Sequence, residues 1–348
     1  MTLPELLRIL EGEGRIQPDS TLLPPDVPND NAWYIRTLLG MMGWLGGVLI
    51  VGSFAAAVGS LLREQVLMLA FAGIFITVAW FLYRTWGSND FAAQFALAAS
   101  MAGQILFVFG MARNGHEREI AFFLAALQCA LVFLMPNFLH RFLSMCFAIA
   151  ALWFALGSRT DFLPSLNEAP VALTILVTAG FTLLAASEST WRAAKRSALL
   201  EPVMLACAVM SLVVHLPHVA LIGKFSAPPS MILAILLTAV LIAWSGWVTL
   251  NQEIQYRLMA AVGLGIFGLA CWRAPGVIAG VLVMLIAFSR GLRVLMCVAM
   301  VAILMYLSAL YYQLGQTLAD KALALALTAG ALLLMRAAVA KLWPKAAA

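Results

Sequence analysis

Apolar residues in this chain arrive in runs of about 15 to 25, each closed by a short charged stretch, and no other feature restricts its folding as much. As a helix, a run of roughly 20 residues crosses the hydrocarbon core of a bilayer, about 30 Å thick. A soluble domain of 348 residues would instead interleave apolar and polar positions around one or two cores. Composition points the same way: 64% of the residues are apolar and 11% charged, where an ordinary soluble domain carries about 25% charged residues. A spanning barrel would show strict apolar/polar alternation, which these continuous runs lack. The expected fold is therefore all-α, a polytopic transmembrane helix bundle.

Spans are expected at 38–62, 65–83, 91–112, 120–135, 142–157, 170–187, 198–222, 231–250, 258–272, 275–289, 294–312 and 322–340. The fourth, fifth, ninth and tenth fall short of roughly 20 residues, so the expected count is ten to twelve. Residues 1–37 form a polar head and 341–348 a basic tail around the bundle at 38–340. In the head, Leu3, Leu6, Leu7 and Leu10 recur at helical spacing behind Pro4, and Pro18, Pro24, Pro25 and Pro28 follow. This reads as a short surface helix and a Pro-rich linker, not as a secretory signal, which would open on a basic segment and reach its apolar core within a few residues.

Basic loops resist translocation, so Lys and Arg set the orientation. With twelve spans, one side collects Arg8, Arg15, Arg36, Arg84, Arg141, Arg192, Lys195, Arg196, Arg257, Arg290, Arg293, Arg336, Lys341 and Lys345. The other collects Arg63, Arg113, Arg118, Arg159, Lys224, Arg273 and Lys321. This division of the 21 basic residues puts both termini in the cytoplasm, and losing one span would move the C-terminus across. The net charge of +5 is thus a topology signal, and no basic soluble domain exists to bind nucleic acid.

Cys129, Cys146, Cys207, Cys271 and Cys297 all fall in spans with no CxxC pair, and read as buried free thiols, without a disulfide framework or metal site. Trp33, Trp86, Trp191, Trp272 and Trp343 sit at span ends, where indole rings favour the headgroup region.

Polar residues at membrane depth are the candidate sites, because unpaired they cost several kcal/mol. The seventh span places Glu201, Cys207, Ser211, His215 and His218 within one arc of about 120°. Glu201 and His215 lie roughly 21 Å apart along a helix, so they cannot share an ion. His215 and His218 are close enough, but Pro217 separates them and no third ligand is near. Their bland reading is interfacial histidines, and that of Glu201 a side chain snorkelling to Lys195 and Arg196. Gln94, Ser100 and Gln104 read as one face of the third span, Gln128 sits in the fourth, and Thr174, Thr178 and Thr182 repeat in the sixth. These are expected to bond neighbouring helices or their own i−4 carbonyls. Gly43/Gly47 and Gly276/Gly280 have GxxxG spacing and fit close helix approach.

The short pairs four/five and nine/ten are interrupted by Pro136 with Arg141 and by Pro275 with Arg273. Such broken hairpins point to transporter sites built on inverted repeats, or else to ordinary periphery. No GxSxG, HExxH or Walker A motif is present, and no cofactor is expected. A lipid-handling enzyme would have only Glu201, His215, His140 and His116 to work with.

Residues Ala32-Trp33-Tyr34-Ile35-Arg36-Thr37-Leu38-Leu39-Gly40 are followed by Gly43-Trp44-Leu45. Near the other end stand Tyr311-Tyr312-Gln313-Leu314, Thr317-Leu318, Lys321, Gly330, Leu333-Leu334 and Arg336, with Ala322 where Ser is expected. In these segments the chain resembles the bacterial multi-pass membrane family catalogued as domain of unknown function 4401. The resemblance runs from about Trp33 to Arg336 and implies a bacterial inner-membrane location. It also implies partners, a second polytopic membrane protein and a small GDYXXLXY-motif protein, but no activity, substrate or catalytic residue. Two classes of function follow: a transport-like component whose polar residues meet its cargo, or a complex-forming scaffold or sensor subunit whose polar residues are spent in helix contacts.

Overall fold

The computed structural model describes residues 33–57, 64–87, 89–113, 115–157, 169–215, 231–250, 253–272 and 274–313. Every regular element among them is a helix: α1 Trp33–Ala57, α2 Gln65–Trp86, α3 Asp90–Ala112, α4 Glu117–Leu134, α5 Phe138–Gly157 and α6 Ala169–Ala186. The chain continues with α7 Glu188–Ala193, α8 Ser197–Val213, α9 Met231–Val248, α10 Ile254–Ala270, α11 Pro275–Ser289 and α12 Arg293–Gln313. Eleven of the expected spans overlap α1–α6 and α8–α12, although α8 ends at Val213 in a turn where the seventh span was expected to run on to 222; the twelfth, the polar head up to residue 32 and the basic tail lie outside the described residues.

Four helices, α2, α3, α5 and α9, are long and apolar enough to cross a membrane. The apolar stretches of α1, α6, α8, α10, α11 and α12 are shorter, and α4 opens on Glu117, Arg118 and Glu119. This is a helical membrane protein, with four rather than twelve helices meeting that length criterion among the described residues. The short α7 was not anticipated.

Local chemistry sets the helix ends. Asn89 caps α3 by accepting the Ala92 N–H at 3.1 Å, with Asp90 in the first turn favouring the helix dipole. Asn137 does the same for the His140 N–H at 3.1 Å, so α5 starts four residues before the expected span and reaches 20 residues. Pro275 occupies the first turn of α11, where its missing N–H is no loss. The ends of α7 and α11 share a motif. Lys195 N–H donates to Arg192 C=O and Arg196 N–H to Trp191 C=O, just as Gly291 N–H donates to Phe288 C=O and Leu292 N–H to Ala287 C=O. The left-handed position is Gly291 (φ +68°) in one case and Lys195 (φ +57°) in the other, where a side chain costs roughly 1–2 kcal/mol.

Small residues set the packing. A methyl group added at Gly43 or Gly47 would strike the Phe91 carbonyl or the Ala98 methyl, and one added at Gly103 would lie 2.8 Å from the Ala72 carbonyl oxygen. α3 is thus clasped between α1 and α2. Gly280 brings α11 equally close to Ile303 of α12. A small core joins α2, α3, α4 and the turn at Met135, and a larger one joins α5 to α9, α11 and α12. α11 is buried all round from Pro275 to Gly280, with Ile278, Leu282, Val283 and Ile286 inaccessible, and reaches the surface at Phe288. Outward faces, such as Leu38, Met41 and Leu49 of α1, remain apolar and exposed, as a lipid solvent requires.

Several side chains depart from the expectations. Trp191 is not interfacial: it is buried in the larger core, and its indole N–H donates to Leu184 C=O at 2.9 Å. Cys129 and Cys297 are exposed, and only Cys207 of the five thiols is fully buried. Gln94 does not share the face of Ser100 and Gln104, because six residues turn it roughly 120° away, against Gly40 of α1.

Candidate functional site

The α4–α5 hairpin turns at Met135–Pro136–Asn137, and the Asn137 cap fixes His140 in the first turn of α5, facing α3. There the imidazole is 1% exposed and both ring nitrogens meet hydroxyls: Nε2 lies 2.8 Å from Ser100 Oγ, and Nδ1 3.2 Å from Ser144 Oγ, one turn deeper in α5. The Gln104 amide donates to Ser100 Oγ at 3.2 Å, and the Gln128 amide donates to Gln104 Oε1 at 2.7 Å. A continuous hydrogen-bonded chain thus runs from the hairpin turn into the bundle through α5, α3 and α4, with every member buried. Tyr83 of α2 stands edge-on to the imidazole with ring centroids 5.7 Å apart. Its hydroxyl and Gln128 Oε1 are buried polar atoms without a hydrogen-bond partner among the described residues.

Hydroxyls suit both sides of this ring. Each can donate to a bare ring nitrogen or accept from a protonated one, turning its own hydrogen to a carbonyl of its helix. The titratable groups around it are Tyr83 and Arg141, and the Arg141 guanidinium is directed elsewhere. Its Nε donates to Val132 C=O at 3.2 Å and its Nη1 to Ala198 C=O at 2.7 Å. Four residues beyond these carbonyls stand Pro136 and Pro202, neither of which has an N–H to offer them. Arg141 therefore replaces two hydrogen bonds that proline removes, and ties α4 and α5 to the first turn of α8.

The residues singled out in the sequence do not form one site. Ser211 donates to Cys207 C=O within α8 at 2.7 Å, and Cys207 belongs to the larger core. His215, just past the end of α8, is 2% exposed and packs edge-on against Tyr306, whose hydroxyl donates to Leu212 C=O. Glu201 is half-buried and forms no ion pair with Lys195 or Arg196, which are exposed. His218 and Arg273 lie outside the described residues, Pro136 is exposed in its turn, and Pro275 is buried at the start of α11. Thr174, Thr178 and Thr182 each donate to their own i−4 carbonyl.

Among the described residues no three His, Cys, Asp or Glu side chains converge as a metal site would need. A cavity of about 640 Å³ between α9 and α10 is apolar, and its one hydroxyl, Thr238, is engaged with Ala234 C=O. The His140 chain thus brings buried polar side chains from three helices together. Ser100 and Gln104 do share a face of α3, as expected, and Gln128 stood out in its own run, but their assembly around His140 was not anticipated.

A family model described as Domain of unknown function (DUF4401) matches residues 32–342. No curated protein and no solved structure matches the chain.

Proposed function

We propose, from the premise that this chain belongs to the family described as Domain of unknown function (DUF4401), that it is a transport-like component of the bacterial inner membrane that exchanges a proton at His140. In this reading it is multi-pass, with ten to twelve spans and both termini cytoplasmic. The observation that carries the proposal is a 1% exposed imidazole held on both nitrogens by hydroxyls. Such a ring can gain or lose a proton without stranding either nitrogen. An ionisable group buried this completely in a membrane bundle is expensive to keep, and by default marks a pathway or relay. No carboxylate contacts the ring among the described residues, so a charge arriving there is not trapped by a counter-ion and can leave again.

The test is proton flux into liposomes carrying the full chain and an entrapped pH-sensitive dye, under an imposed potential. Wild-type protein is expected to exceed protein-free liposomes at least tenfold, and His140→Gln, which stays polar but does not titrate, is expected to lose that flux while keeping its melting temperature. Flux that survives His140→Gln overturns the assignment to this residue. Wild-type flux equal to that of empty liposomes overturns the transport reading altogether and favours the complex-forming one.

A further inference from the structure

We infer that the end of α7 is a binding site for the phosphate headgroup of an anionic phospholipid, formed by Arg192, Lys195 and Arg196. All three side chains are exposed where α7 turns into α8. Glu188, the acidic residue of this helix, is already committed. One carboxylate oxygen pairs with Arg192 at 2.8 Å and the other with Arg290 of the α11 end at 3.1 Å. Lys195 and Arg196 form no ion pair among the described residues, so two full cations project from this rim. The backbone supplies a second observation. Lys195 occupies the left-handed position that Gly291 fills in the matching motif at the end of α11. Glycine is the unstrained choice there, and the chain instead carries a charged side chain.

Other features suit an amphiphile rather than a free anion. Trp191 is locked beneath the cations, with the Arg192 guanidinium 5.5 Å above its ring. α6, which leads into α7, presents Leu176 and Leu183 on one face, each 68% exposed. Exposed cations at the end of α7, on a chain that enters from a helix with an exposed apolar face, fit a headgroup and an acyl chain at once. The inference does not depend on proton exchange at His140, and its readout is lipid retention rather than flux.

The full chain in neutral detergent, given equal amounts of phosphatidylglycerol and phosphatidylcholine, is analysed by native mass spectrometry. Phosphatidylglycerol is expected to be retained at least tenfold over phosphatidylcholine, and Lys195→Gln with Arg196→Gln is expected to bring the two within about twofold of each other. Lys195→Gly cannot fail for lack of folding, because it relieves the left-handed strain. It should raise the melting temperature and cut the preference on the order of fivefold. Arg113→Gln with Arg118→Gln, on the opposite side of the bundle, should leave the preference intact. Equal retention of both lipids by wild-type protein, an undiminished preference in the Lys195/Arg196 variant, an equal loss in the Arg113/Arg118 control, or displacement of the lipid by inorganic phosphate would each overturn the site.

Discussion

Gln104 and Gln128 look alike in the sequence, each one amide in an apolar run, but the hydrogen-bond chain gives them unequal weight. Gln104 is interior: it donates to Ser100 and accepts from Gln128. Replacing it with Leu strands the Gln128 amide beside an Oε1 that already lacks a partner, and each stranded buried group costs about 1–3 kcal/mol. Gln128 is terminal, and Gln128→Leu removes its own unpartnered oxygen while leaving one acceptor, Gln104 Oε1, exposed to the same cost. Thermal melting in detergent should therefore show a large drop for Gln104→Leu and little change for Gln128→Leu. Equal drops would mean that the chain is not a chain. The sequence showed each of these polar residues, because a Gln in an apolar run is visible without a structure. The i, i+4 pair Ser100/Gln104 was visible too, but its convergence with Gln128 and His140 was not, since these lie 24 and 40 residues from their partners and no local period joins them.

At the scale of helices, proline and arginine act together. Pro136 and Arg141 were legible as a break between two spans, and the hairpin is there, but the sequence alone offered a half-helix site or ordinary periphery, and neither reading includes a strut. What it could not show is that Pro202, far along the chain, frees the second carbonyl that Arg141 takes. Arg141→Ala should leave Val132 and Ala198 carbonyls without that donor and destabilise the protein by about 2–4 kcal/mol. Adding Pro202→Ala restores a backbone N–H opposite Ala198 C=O, so the double variant should melt above Arg141→Ala alone. In wild-type protein Pro202→Ala should gain much less, because there the carbonyl already has its partner. A double variant no more stable than Arg141→Ala would show that the guanidinium is not compensating for the proline.

For the whole molecule, the class of fold was legible because bilayer thickness leaves so few solutions, and α1–α6 and α8–α12 fall where the apolar runs do. Orientation depends instead on which charges share a side. Contacts supply part of that: Arg141 with Ala198, Arg290 with Glu188 and Ala185, and Tyr83 with His140 gather the ends of α2, α4, α6 and α11 and the starts of α5 and α8 at one end of the bundle. Arg84, Arg141, Arg192, Lys195, Arg196, Arg290 and Arg293 belong to that end, while Arg113 and Arg118 sit between α3 and α4 at the other. Lys and Arg are retained on the cytoplasmic side, so the Lys195 end should face the cytoplasm. In a background with the five native cysteines replaced by alanine, Lys195→Cys and Arg113→Cys present exposed thiols at opposite ends of the bundle. A membrane-impermeant maleimide added to intact cells should label Arg113→Cys and leave Lys195→Cys unlabelled until the membrane is opened. The reverse pattern would invert the protein. A reporter fused after Ala348 then settles the parity of spans: cytoplasmic, with Lys195 inside, requires an even number, and the opposite reading would remove one of the twelve.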